Sequence, residues 1–363
     1  MPMSQTSVRS GLSIAAVAAT ILLASCATPE PEPVAPPPPP PPPPAVTLNE
    51  GVAEAASIYV TFIREVGSIQ AGFPDAESIQ AAIRRGAAYE PAQLSRGMIA
   101  YGSILALQSP EFVAGVRTFA VDPDQRRMMV ERIIADPAYA ATLPGADAAA
   151  GLIVEVIGKD SESLMTIANA VEEDAYTIQG RGDPRRRWAS VHISNREDRL
   201  ESAKSLSAVQ MLPSAEEASR LFAAANTGSG LALTPAQAGP PYTPAVVNSL
   251  AIAALAALGA GGDEARANTE ALVVESNSEF CLNMSKLMLF QCLAASRPSY
   301  EDIFCVGRHI MRDLATCTAS NITPVPPVTP APDTAVAGAG GISSPVAAGA
   351  AAASISAVQT ASR

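Results

Sequence analysis

The residues with most chemistry to offer are five cysteines (Cys26, Cys281, Cys292, Cys305, Cys317) and two histidines (His192, His309) in a chain of 363. Cys305 and His309 are four residues apart, on one face of a helix, and with Cys281 and Cys292 they supply the donors of a Cys₃His zinc site. The same four C-terminal cysteines, being even in number, read as two disulfides if the chain lives in an oxidising compartment. His192 with Asp183 or Asp198 and a serine can be drawn as a triad, but the spacing has no specificity. No Gly-x-Ser-x-Gly elbow, phosphate loop, His-Glu-x-x-His or Cys-x-x-Cys-His motif is present. Glu172-Glu173-Asp174 reads as a solvated helix end rather than an acid/base pair. Arg181, Arg185, Arg186 and Arg187 form the densest positive charge, beside the single tryptophan, Trp188. They either compensate the C-terminus of the preceding helix while Trp188 docks, or face anionic lipid headgroups or phosphorylated glycans. The Arg181-Gly182-Asp183 tripeptide is read as chance.

The compartment is indicated at the N-terminus. Residues 1–25 combine Arg9, an apolar stretch from Leu12 to Leu23, and a small-residue end, the parts of a signal peptide. The apolar stretch is shorter than the ~20 residues a membrane span needs. Leu23-Ala24-Ser25-Cys26 resembles the lipobox of bacterial lipoproteins, and the resemblance covers this segment only. It implies cleavage before Cys26, diacylglycerol on its sulfur and a further acyl chain on its new amino group. That covalent lipid is the one prosthetic group expected, and the lipid bilayer the first partner. Ala27, where retained lipoproteins of enterobacteria carry Asp, implies the periplasmic face of the outer membrane. An oxidising envelope favours disulfides over zinc. The acidic balance, 24 Lys+Arg against 35 Asp+Glu, argues against nucleic acid.

Spacing then selects the disulfide partners. The pairs 292/305 and 281/317 share a midpoint at the turn Arg297-Pro298-Ser299, so an antiparallel αα-hairpin folded there predicts Cys292–Cys305 and Cys281–Cys317. A 281–292 link fails, because eleven helical residues rise ~16 Å and a disulfide joins Cα atoms below ~7 Å. Crossed pairs would need a parallel arrangement that a short turn cannot supply. One difficulty is angular. Cys281 and Cys292 lie ~20° apart around an ideal helix, but Cys305 and Cys317 lie ~120° apart. Either the second helix ends near Cys317 or the helices coil about each other.

The elements that must position these residues are helical. Residues 26–47 form a proline-rich tether, whose run Pro36–Pro44 extends ~28 Å as polyproline II. Residues 322–363, rich in Pro, Ala and Gly, are expected to be disordered. Neither segment is expected to contribute buried area. Between them, 48–321 is an all-α, non-repetitive domain, with a possible subdivision near 180–194 or 227–242. Helices are predicted at 49–70, 75–89, 92–108, 111–120, 123–135, 146–178, 195–210, 215–226, 244–258, 264–275, 278–296 and 300–318, with 181–193 read as a loop. Ser194, Ser214, Ser276 and Ser299 each precede an acidic residue at capping-box spacing. Thr243-Pro244 marks a start and Gly259 a stop. Segment 244–258, apolar nearly all round, is read as a buried central helix. With no catalytic constellation, the leading function is a non-enzymatic structural or adaptor lipoprotein binding other envelope proteins. The alternatives are an envelope hydrolase with an unrecognised site and a carrier of an apolar ligand. An exposed patch on a full core favours the first, and clustered polar groups in a concavity the second.

Overall fold

The computed structural model describes residues 42–181 and 184–324. Cys26 with the signal peptide, most of the tether, Asp183 and the tail from 325 lie outside them. Among the described residues every regular element is helical, with two isolated bridges, Leu48 to Gly261 and His192 to Pro298.

Local chemistry accounts for the helix starts. The carboxylates of Asp75, Glu90 and Asp122 accept from the first free N–H groups of α2 (Ala76–Ala87), α3 (Pro91–Ala106) and α5 (Pro123–Ala135). Asn49 and Ser109 do the same for α1 (Glu50–Gly67) and α4 (Pro110–Arg117). The longest helix, α6 (Ala146–Arg181), has 36 residues and runs ~54 Å. Its buried stripe is Ile153, Ile157, Leu164, Ala168, Val171 and Ala175, with Val156 and Ile167 half-buried at the margins. α7 (Arg196–Ser207) and α8 (Ala215–Thr227) follow, and Ser214 caps α8 as its spacing predicts. α9 (Pro244–Ala257) starts on the Thr243 hydroxyl and stops at Gly259, whose φ of +75° suits glycine.

Other expectations need correction. The helix expected over 264–275 is a single 3₁₀ turn followed by the five-residue α10 (Arg266–Glu270). Segment 184–190 is 3₁₀-helical rather than a plain loop, and the chain after it pairs with the turn at Pro298. Ser194, Ser276 and Ser299 are not caps. Asn195 holds the capping position of α7 without a side-chain bond, and Glu275 caps α11 (Ser276–Ala295) through Asn277 N and Ser278 N. Ser299 is already the first residue of α12 (Ser299–Cys305), and Asp302, its supposed partner, is drawn into a buried ion pair instead. A π-helical stretch (Val306–Arg312) and α13 (Asp313–Ile322) continue α12 without a break.

The end of the tether is also part of the body. Thr47 N donates to Ala256 O, Asn49 N to Gly261 O, and Arg117 donates to Pro44 O. Ala256 O, at the end of α9, meets only the N–H groups of the closing turn and no i+4 donor, and Gly261 O lies beyond the helix, so both can take a donor from the tether. Leu48 is buried beside them.

The core is continuous from α1 to α13. α9 lies at its centre, with every residue from Ser249 to Ala257 buried, as expected for a central helix. Small residues permit this close packing. At Gly97 a Cβ would meet Ala55 O of α1 at 2.6 Å, so α1 and α3 touch backbone to backbone.

Candidate functional site

The cysteines act as a pair of covalent staples on the hairpin of α11 with α12 through α13. Cys281–Cys317 and Cys292–Cys305 are joined with Cα separations of 5.7 and 5.8 Å. This is the nested pairing that the spacing predicts. The second helix neither ends near Cys317 nor keeps an ideal α-helical phase, for it runs on to Ile322 and is π-helical over Val306–Arg312. A π turn bonds i to i+5, and one inserted residue turns the phase by about 100°. The ~120° offset between Cys305 and Cys317 thereby falls to ~20°, matching that between Cys281 and Cys292. Both pairs then face each other along one seam.

Contacts with α6 set the place of the π stretch. Gly307 lies so close to α6 that a Cβ would meet Glu172 Cγ at 2.8 Å and Glu172 N at 3.0 Å. Arg312, at the end of the stretch, donates to Glu172 Oε1 (2.7 Å) and to Asn169 Oδ1 (2.7 Å). Glu172 is buried and Asp174 accepts from Arg186 and Gly72 N, so two members of the acidic trio are internal anchors rather than a solvated end. Only Glu173 faces solvent.

The inner side of the hairpin is fastened by buried charge. Arg199 of α7 donates to Asp302 Oδ2 (2.8 Å) and to Leu293 O, with both charged side chains almost fully enclosed. Ser296 and Gln80 also donate to Asp302. Burial raises the Asp302 carboxyl and lowers the Arg199 guanidinium, and their mutual attraction opposes both shifts. Lys286 turns inward as well, donating to Tyr89 O and Ser207 O, and burial lowers its ammonium to about 8.

The outer side of α11 is left apolar. Phe280, Met284, Leu287 and Met288 are 67%, 39%, 46% and 40% exposed and fall at i, i+4, i+7 and i+8, one helical face. The helix carries two charged residues, Glu279 and Lys286. Lys286 is buried, and Glu279 is half-buried with Oε1 enclosed. The exposed apolar stripe, flanked by Asn283 and Gln291, is therefore free of charge in a chain of net charge −11. Sequence reasoning passed over this face. The available signal was that α11 has more large apolar residues than one buried stripe can use.

The remaining candidates separate. Arg181, Arg185 and Arg187 are exposed, whereas Arg186 is turned toward the body, bidentate on Asp174 and donating to Phe73 O. Trp188 is half-buried against the core. The basic cluster is thus split between surface and anchor. His309 Nδ1 meets Asp313 Oδ2 at 2.9 Å, but Ser285 Oγ donates to the His309 backbone carbonyl, so no triad forms there. His192 is exposed at the bridge to Pro298. With all four C-terminal thiols in disulfides, the Cys₃His zinc alternative has no ligands, and no other group of three or more metal-binding side chains occurs among the described residues. Comparison with protein-family models, curated proteins and solved structures finds no match to this chain, so the site has to be read from its own geometry.

Proposed function

We propose that this chain is a lipid-anchored, non-enzymatic adaptor of the bacterial cell envelope, holding a partner protein against the outer membrane through the outer face of α11. The observation that carries the adaptor reading is the uncharged apolar stripe of Phe280, Met284, Leu287 and Met288 on a doubly stapled hairpin. The stripe is not the side by which α11 joins the core, which it reaches through Leu282, Leu289 and Leu293. Its occupant is the apolar face of a helix in a partner confined to the same membrane. Two arguments support that choice. The stripe lacks the carboxylates found over the rest of this acidic chain, which suits an uncharged helix. Its extent, ~12 Å along the helix by ~10 Å across, is far below the ~800 Å² per side of a free-standing stable interface. Confinement by the Cys26 anchor and its short tether raises the effective concentration enough for a small interface to serve.

The anchor is tested by feeding cells labelled palmitate. The full chain should take up label, Cys26→Ala should not, and labelling of that variant would refute the lipobox assignment. In membranes from labelled cells, Leu287→Asp should stay anchored yet lose the partner from crosslinked complexes. Retention of an unchanged complex by Leu287→Asp would refute the adaptor reading of α11.

A further inference from the structure

Away from the hairpin, α1, α3, α6 and α8 surround a cavity of about 410 Å³ that the adaptor reading does not use. The volume is near the lower end of small-molecule sites, ~300–1,000 Å³. One wall is acidic. Asp160 of α6 lines the cavity, half-buried, with no hydrogen-bond or ion-pair partner among the described residues. Burial lifts its carboxyl to about 6, the mark of a charge that the fold itself does not compensate. Its oxygens are not sealed inside the protein, so they are open to donors that enter the cavity.

A second charged group on the lining, carried by α1 and α8, is basic in sum. Glu217 of α8 accepts from Arg220 Nη2 at 2.5 Å and Nε at 3.2 Å, and from Arg64 Nη2 at 3.4 Å. Two guanidinium groups on one carboxylate leave a net charge of +1, and both arginines line the cavity. Tyr101 of α3 also lines the cavity. Burial, then Asp160, raise its hydroxyl to about 12, while Arg220 and Arg64 pull the other way. Ile63 and Leu164 supply an apolar floor.

We infer that this cavity binds a small zwitterion, with its ammonium group on Asp160 and its carboxylate on Arg64 and Arg220. An ammonium supplies the donors that Asp160 lacks, and a charged acceptor makes such bonds the strong kind. A carboxylate finds the guanidinium N–H groups not committed to Glu217. A plain anion would gain from the arginines but be repelled by Asp160, and a plain cation would meet the reverse.

Calorimetric titration of the full chain tests this with four probes: L-alanine, L-alanyl-L-alanine, propionate and ethylammonium. At least one of the two zwitterions should bind, about tenfold or more tighter than either single-charge probe. Asp160→Asn should weaken that binding by about tenfold or more, and Arg64→Gln should also weaken it. Asp160→Asn is isosteric and removes an uncompensated charge, so the variant stays folded. Equal binding of ethylammonium or propionate would overturn the inference. So would silence with both zwitterions at about 10 mM, or an Asp160→Asn variant that binds as before.

Discussion

α9 and α11 are built from similar material and meet opposite fates. Each is apolar round most of its circumference, and neither carries the broad polar stripe of a surface helix. α9 is dominated by alanine, so α3, α4, α6 and α13 can approach it from several sides, and it vanishes into the core. α11 carries Phe280, Met284, Leu287 and Met288 outward, where no described element covers them. An apolar helix can thus be central to the fold, or be held by the fold for something else. Burial on all sides marks the first. Large side chains left in solvent on a rigid support mark the second.

The contrast is broken most severely by charge. Leu250→Asp places a carboxylate at a fully buried site of α9 and should cost about 4 kcal/mol or more, enough to abolish a cooperative melt. If the melt survives with a small shift, α9 is not the core element described.

The staples come next. The outer disulfide closes a loop of 36 residues and the inner one of 13, which in the chain-entropy account are worth about 4 and about 3 kcal/mol. Cys281→Ala should therefore lower the unfolding free energy more than Cys292→Ala. The reverse order in denaturant titrations would place the larger constraint at the turn.

A smaller and opposite effect is expected at Asp160. Its carboxyl is raised from the ordinary 3.8 to about 6, so the protonated form is the one the fold prefers. That contribution is full below about pH 3.8 and is lost as pH rises through about 6. Asp160→Asn should be the more stable protein above pH 7, by about 2 kcal/mol, and should show no advantage near pH 4. A gap independent of pH would mean that the carboxyl is compensated in the fold. The smallest change is expected from Leu287→Asp, within about 0.5 kcal/mol of the parent, because an exposed position forfeits little on losing its side chain.

What was legible in the sequence follows the range of the interactions involved. Thr243-Pro244, Gly259 and Ser214 act within one helical turn, and their roles could be read directly. The disulfide pairing was legible too, because Cys281, Cys292, Cys305 and Cys317 are nested about a single turn. The π stretch was not, since it follows from Gly307 meeting Glu172 some 135 residues earlier (307 against 172), a contact no local pattern encodes. Ser299 looked like a cap until Asp302 was claimed by Arg199, and Pro44 and Thr47 looked like tether until Pro44 O took a donor from Arg117 and Thr47 N found Ala256 O at the end of α9. Asp160, Tyr101, Arg64 and Arg220 come from four helices and share no spacing rule. The basic run at 181–187 reads as one group, compensating a helix end or facing an anionic surface, but Asp174 takes Arg186 out of it.

The central claim is that the outer face of α11 is a docking surface rather than an accident of folding, and site-specific photocrosslinking in intact cells tests it most directly. A photoreactive residue at position 287 is compared with one at 212, where Leu212 is 82% exposed but stands outside the stripe. The account predicts one discrete heteromeric adduct from 287, none from 212, and loss of the adduct when Phe280→Asp is added. Equal adducts from both positions, an adduct only between copies of this chain, or none from 287 would contradict it.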